Sequence, residues 1–361
     1  MTMKKTISIF LALLLLLSMV AGCTSTQSGS TSSAAPTASA SAAPTSTSTD
    51  PLAGLDPVTI KFAHAGDLGA SATVYTEKWI DAVEKASNGK ISFDYYPAGQ
   101  LGSLAELAEA IDLGTLDMAK LEMSTMSSYF PEAGITSMPF LIQNYSHAGK
   151  VFDGEVGDQL KDMFRKNCNA EVMGYFWIGF RNIVTKTPAT SVAELKNILI
   201  RSPEAQVYLD TFNTLGMKPT PIAFNEMYNA MSTGIVDAVE TTPELIYNMG
   251  FYKLGKYVLK SNHIFTAEFI GANTDFWNKL PDAYKEIMVS CMNDVVKEER
   301  AYVESSSDSF YDKIQTAGGV ISEWKNYQDV ADLFTPYWSD KAKAMSPEAV
   351  KMVETITGLT K

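Results

Sequence analysis

The chain has 361 residues, 46% hydrophobic and 19% charged, a globular composition with enough length for about two domains. With 29 basic and 41 acidic residues its formal net charge is −12; losing residues 1–22, which hold Lys4 and Lys5 and no acid, would make it −14. That balance excludes a nucleic-acid binder, which needs a basic face for phosphates. Three cysteines exclude a disulfide-stapled or Cys-rich zinc scaffold, and three histidines leave little room for a multi-His metal site.

Lys4 and Lys5 lead into an apolar run from Ile7 to Val20. It has the length and flanks of a signal-peptide core rather than of a membrane span. Val20-Ala21-Gly22-Cys23 follows it and resembles the lipobox of a bacterial lipoprotein, in which the cysteine is acylated and becomes the mature N-terminus. The alternative is an ordinary cleaved signal with an incidental cysteine. Residues 1–22 are thus expected to be a signal peptide. Residues 23–56, mostly Ser, Thr, Ala and Pro, are expected to be a lipid-anchored flexible tether.

Alternating strand and helix patterns begin at Val58. Val58–His64 reads as a strand. Thr73–Ser87 reads as a helix with Val74, Trp79, Ile80 and Val83 roughly on one face, ended by Asn88-Gly89. Lys90–Tyr96 alternates as a second strand, Leu104–Leu113 is an amphipathic helix, and Leu116–Glu122 is a third strand. Three strands with two intervening helices imply an α/β unit with a parallel sheet, whose ligands bind beyond the carboxyl ends of the strands. Further strands are expected over 171–179, 182–186, 198–201, 218–222, 235–240 and 262–272, with helices over 204–215, 225–233 and 244–249. Residues 275–315 read as one long helix, able to brace two lobes. Ser346-Pro347 opens a last helix that ends near Gly358.

Arg181 lies between two strands, and Arg201 ends an apolar strand. A guanidinium there either grips a ligand carboxylate bidentately or makes a surface salt bridge. Glu122 closes the third strand and on its own reads most simply as a solvated strand end; Glu240 closes a later strand. Thr241 and Thr242 follow Glu240 and precede Pro243, so either is also a candidate helix cap. Phe224 reads as core or as a pocket wall. His64, His147 and His263 show no metal-ligand spacing, and Cys168 and Cys291 are either free or paired. The Met-rich stretch from Met118 to Met138 reads as core. There is no nucleophile-elbow, phosphate-loop or dinucleotide motif. No catalytic residue, metal or cofactor is expected.

Eight stretches in order carry a resemblance. They are Tyr96-Pro-Ala-Gly-Gln-Leu-Gly102, Met138-Pro-Phe-Leu141, Phe152-Asp-Gly-Glu-Val-Gly157, Gly179-Phe-Arg181 and Ile200-Arg-Ser-Pro203. Pro219 to Tyr228, Ala230 to Ala238 with Glu240, and Asn262-His263-Ile264 complete the set. Over roughly Val58 to Ser305 the sequence resembles solute-binding proteins of tripartite ATP-independent periplasmic (TRAP) transporters, of the dicarboxylate-binding type. The resemblance implies a bilobal, periplasmic-binding-protein-like α/β fold with a hinge. Lobe I would hold 57–180 plus about 267–306; lobe II would hold about 181–266 plus 307–361, with the C-terminal helices. It implies a small organic-acid ligand, with Arg201 forming the main salt bridge and Arg181, Glu122 and Phe224 lining the cleft. Thr241-Thr242 stands where the family often supplies an Asn. Asn197 stands where it commonly has a Gly, which puts the turn before Arg201 in question. The implied partners are the small and large membrane subunits of an ion-gradient-driven transporter, with the membrane itself reached through the lipid anchor. The rival readings are a binding protein for an ATP-driven importer or a sensor, and an extracytoplasmic enzyme using Glu122 or Glu240 as base.

Overall fold

A computed structural model describes residues 51–360. The expected signal peptide, Cys23 and nearly all of the Ser/Thr/Ala/Pro-rich stretch lie outside the described residues. The strands are β1 (Val58–His64), β2 (Ile91–Tyr96), β3 (Met118–Glu122), β4 (Ala170–Phe180), β5 (Asn182–Thr185), β6 (Leu199–Ser202), β7 (Lys218–Pro221), β8 (Ala238–Thr241), β9 (Tyr257–Lys260), β10 (Phe265–Asn273) and β11 (Val320–Glu323). They form two sheets, ordered β2-β1-β3-β10-β4 and β11-β9-β5-β8-β6-β7. Each sheet is the floor of one lobe, with helices packed on it.

The first lobe follows from its apolar pattern. Ile60 and Phe62 of β1 are fully buried, and the helix Ser71–Ala86 lays Trp79 and Val83 against them, with the Phe62 and Trp79 rings edge to face at 5.9 Å. β1 pairs in parallel with both β2 and β3, as the alternation implies. The antiparallel insertion of β10 between β3 and β4 is not legible in that pattern. All nine residues of β10 are buried, so the sequence marks it as a central strand without naming its neighbours.

Three segments join the lobes. β4 passes into β5 through Arg181, and β9 passes into β10 through Ser261–Ile264. The expected strand over 262–272 starts only at Phe265, because Asn262 has φ +44° and breaks the extended run. The third is the helix Asp282–Thr316, 35 residues long. Its Met288 and Met292 pack in the first lobe's core with Trp79, while Tyr311 and Ile314 pack in the second lobe's core with Val184 and Phe251. The continuous helix expected from 275 is interrupted: Leu280, held extended at ψ 143° before Pro281, separates the short helix Thr274–Lys279 from the long one.

Two boundaries shift. Leu52 is buried, Lys90 Nζ donates to the carbonyls of Leu52 (2.6 Å) and Leu55 (2.9 Å), and Tyr284 donates to that of Asp56 (2.8 Å). The expected tether end at 56 is therefore corrected. Leu52 and Leu55 supply the apolar surface that docks this stretch on the first lobe. The last helices, expected with the second lobe, also touch the first. Trp338 donates to Pro139 O (2.7 Å) and Ile356 O meets His147 (2.9 Å), while Lys341 pairs with Asp210 of the second lobe (2.6 Å). Ser346 caps the last helix, Pro347–Gly358, through Ala349 N, as its sequence implies. Cys168 and Cys291 are free thiols in different cores, and burial pushes the Cys168 thiol up to about 12. Among the described residues, no helix is long and apolar enough to cross a membrane.

Candidate functional site

The turn from β4 into β5 requires glycine. Gly179 has φ +102°, and a Cβ there would lie 3.0 Å from the Tyr145 hydroxyl and 3.2 Å from Val303. Beyond it, Arg181 N donates to Ile264 O (2.9 Å), tying the two strand crossings together. The Arg181 guanidinium is buried and meets Glu240 fork to fork, with Nε to Oε2 at 2.5 Å and Nη2 to Oε1 at 2.7 Å. It also lies over the Tyr208 ring at 5.2 Å. Burial alone would raise the Glu240 carboxyl, but the Arg181 charge and His263, whose Nε2 is 3.4 Å away, outweigh it and hold it low. Burial lowers His263 despite Glu240, so its imidazole is neutral at pH 7.

Arg201 ends β6. Asn197 occupies the turn before it at φ +66°, a conformation Asn tolerates, so the turn survives without the family glycine. Arg201 is 2% exposed. Its Nε donates to Ile222 O (2.8 Å), which fixes the fork. Its Nη1 stands 4.0 Å from Glu240 Oε1 and has no hydrogen-bond partner. Burial pulls this guanidinium down to about 10, against the pull of Glu240, so it remains charged at neutral pH.

Two neighbouring chambers open between the lobes. The larger, about 160 Å³, is lined by Arg201, Arg181, Glu122, Phe224, Leu104 and Thr125 among others. The smaller, about 40 Å³, shares Leu104, Glu122, Arg181 and Phe224 and adds Asp67, Ile178, Leu245 and Glu268. Glu122 ends β3, and its Oε1 accepts hydrogen bonds from Tyr208 (2.8 Å) and Ser124 (2.5 Å). Tyr208 belongs to the second lobe, so this bond crosses the cleft. So do the bonds from Ser71 N and Oγ to Glu244, at 2.9 and 2.5 Å. The lobes stand closed.

The structure thus brings Arg181, Arg201, Glu122 and Phe224 together around the chambers. Glu240 is fully buried behind the arginines and lines neither chamber. Thr241 pairs with Asn182 in the β5–β8 ladder, and its buried Oγ1 has no hydrogen-bond partner; Thr242 lines a separate crevice with Glu244. Sequence reasoning passed over Tyr208, Lys120 and Glu268. Glu268 stands opposite Glu122 in the β3–β10 register, with Lys120 Nζ 3.3 Å away and itself 4.1 Å over the Phe176 ring. Burial would raise Glu268, but Lys120 and His64 bring it down to about 2. The signal was present: both charges lie in strands otherwise too apolar to have a wet face. A larger cavity of about 340 Å³ lies elsewhere, between Met138 and the helix Thr335–Met345. Among the described residues its only cation is Lys341, already held by Asp210.

Two α/β lobes joined by three crossings, closed over a buried guanidinium with an open donor, define a bilobal solute-binding protein. The model of bacterial extracellular solute-binding protein, family 7, matches residues 62–344, and the chain belongs to that family. It is similar to the sialic acid-binding periplasmic protein SiaP of Vibrio cholerae, 26% identical over 66% of this chain and 74% of the relative. It is also similar to the C4-dicarboxylate-binding protein DctB of Bacillus subtilis, 26% identical over 72% and 74%. Its fold matches a TRAP periplasmic solute-binding protein from Polaromonas sp. JS666 bound to D-erythronate, at TM-score 0.79 and 22% identity, covering 84% of this chain and 99% of the other.

Proposed function

We propose that this protein captures a small organic acid in the cleft and delivers it to the small and large membrane subunits of a TRAP-type, ion-gradient-driven transporter. One observation carries the reading: Arg201 lines the larger chamber, and its buried Nη1 has no hydrogen-bond partner among the described residues. A carboxylate completes that donor, and in a closed, dry cleft the pair is a charge-assisted bond. The names of the two relatives, for sialic acid and for C4-dicarboxylates, support an acid as ligand. Transport rather than turnover fits Glu240, because a fully buried carboxylate already held by Arg181 and His263 is a poor general base. Arg201→Ala should weaken binding of the cognate acid at least ~30-fold, the scale of leaving a buried charge unpaired. Calorimetry and thermal shift with an acid panel test this; wild-type affinity in the variant would sink the assignment.

The lipid anchor on Cys23 is part of the same proposal and rests on the lipobox-like run Val20–Cys23. Cells fed a labelled fatty acid should label the wild-type protein and not Cys23→Ala. Equal labelling of the two would remove the anchor from the proposal.

A further inference from the structure

We infer that the solute carries a protonated nitrogen, an ammonium or amidinium, at the end opposite its carboxylate. This rests on the reading that Arg201 takes the carboxylate, and it adds the identity of the far end. The argument is one of charge. Arg181 and Arg201 share the site with two carboxylates, Glu240 ion-paired behind them and Glu122 lining the same chamber, so the formal charge of the four is zero before any solute arrives. Adding one carboxylate leaves a net negative charge in a closed cleft, where an uncompensated charge is costly.

No protein cation stands ready to balance it. Among the described residues, Arg181 and Arg201 are the only cationic side chains lining either chamber. Lys120 is committed to Glu268 from behind. Among the described residues, neither Glu122 nor Asp67 has an ion-pair partner. Glu122 Oε1 already takes two hydroxyl donors, while no donor among the described residues bonds Oε2. The smaller chamber is lined by three carboxylates, Glu122, Glu268 and Asp67, and by Arg181, whose charge Glu240 already meets, whereas Arg201 lines only the larger chamber. Its volume of about 40 Å³ is room for a compact donor group such as an ammonium. Leu104 and Phe224 line both chambers and form an apolar waist for the carbon chain between the two charged ends. A second carboxylate in the smaller chamber would lie beside Glu122 and Asp67, neither of them ion-paired, and is rejected.

The test is a matched series of acids measured by calorimetry on the purified protein. ω-Amino acids of three to six carbons are compared with ω-hydroxy acids and with dicarboxylates of the same lengths. At the best length the amino acid should bind at least about tenfold tighter than the hydroxy acid, and the diacid should not bind. Glu122→Gln should bring the amino-to-hydroxy ratio close to one, the ratio rather than either affinity being the readout; should that variant fail to fold, the wild-type series decides. A diacid or hydroxy acid that binds as tightly as the amino acid overturns the inference and leaves the carboxylate reading standing. Hydroxy-acid binding with uptake of one proton, seen in buffers of different ionisation enthalpy, also overturns it, because protonation then supplies the missing charge. Tight binding of matched simple amines, unchanged in Arg201→Ala, would sink the carboxylate reading itself. No binding anywhere in the series overturns the inference alone, since Arg201→Ala is judged separately on whichever panel acid binds.

Discussion

Arg181 and Arg201 are the same residue type at the same junction, both buried, with opposite availability. Glu240 saturates one edge of Arg181, whereas Arg201 is anchored by Nε alone and keeps Nη1 open. Sequence position suggested both arginines, but only packing distinguishes the saturated guanidinium from the one with an open donor. Glu299 shows the same environmental control. It is fully buried on the long helix, with Oε2 accepting from Trp177 N at 3.1 Å and Oε1 without a partner. Burial, against the pull of Lys120, pushes its carboxyl from 4.5 up to about 8. A carboxyl raised on folding prefers its proton in the folded state, so it costs stability as pH climbs from about 4.5 towards 8. Glu299→Gln should match the wild type in melting temperature at pH 5 and exceed it at pH 8, with a gain of ~1–3 kcal/mol. Parallel pH profiles for the two proteins would show that Glu299 is not the group responsible.

At the level of elements, the helix Ser71–Ala86 has an unusual cap. Ala70 precedes it and offers no side-chain acceptor. The missing acceptor comes from the other lobe, where Glu244 takes Ser71 N and Oγ. A carboxylate at a helix N-terminus is favourable through orphan N–H groups and the helix dipole. Here that preference works across the cleft as a contribution to closure. Burial raises the Glu244 carboxyl, against the bonds from Ser71, so the contact also carries a desolvation cost. Glu244→Ala removes a contact outside both chambers. It should speed solute release by about tenfold, with little change in the association rate, as expected when a closed state loses about 1.4 kcal/mol. Stopped-flow release from wild type and variant measures this; equal release rates would mean the contact is incidental to closure.

For the whole molecule, an excess of acids sits with a cleft that offers guanidinium groups. The formal charge of −12 is spread over the chain, while a carboxylate at Arg201, as proposed, would meet a local donor within a Debye length of ~8 Å. Global charge therefore excluded nucleic acid without excluding an anion. The three crossings between the lobes explain how closure can remain well defined. Arg181 and the 261–264 segment are tied by a backbone bond, and the long helix is buried in both cores.

The sequence by itself determined the α/β class, most strand and helix positions, the long brace and the strand-end arginines. Local periodicity, Pro and Gly signals and ordered motifs act over neighbouring residues, so they are legible in one dimension. Eight motifs also placed the chain among TRAP solute-binding proteins, the family its match over residues 62–344 shows. Only the tertiary structure decided that β10 runs antiparallel through the first sheet, that Leu52 docks on the body, and that Glu240 stands behind the arginines. It also decided that Glu268, 146 positions beyond Glu122 in the chain, sits directly opposite it across one strand pair. These are contacts between residues far apart in the chain. Their energies depend on burial and on which charge lies nearest, and neither is written in local sequence.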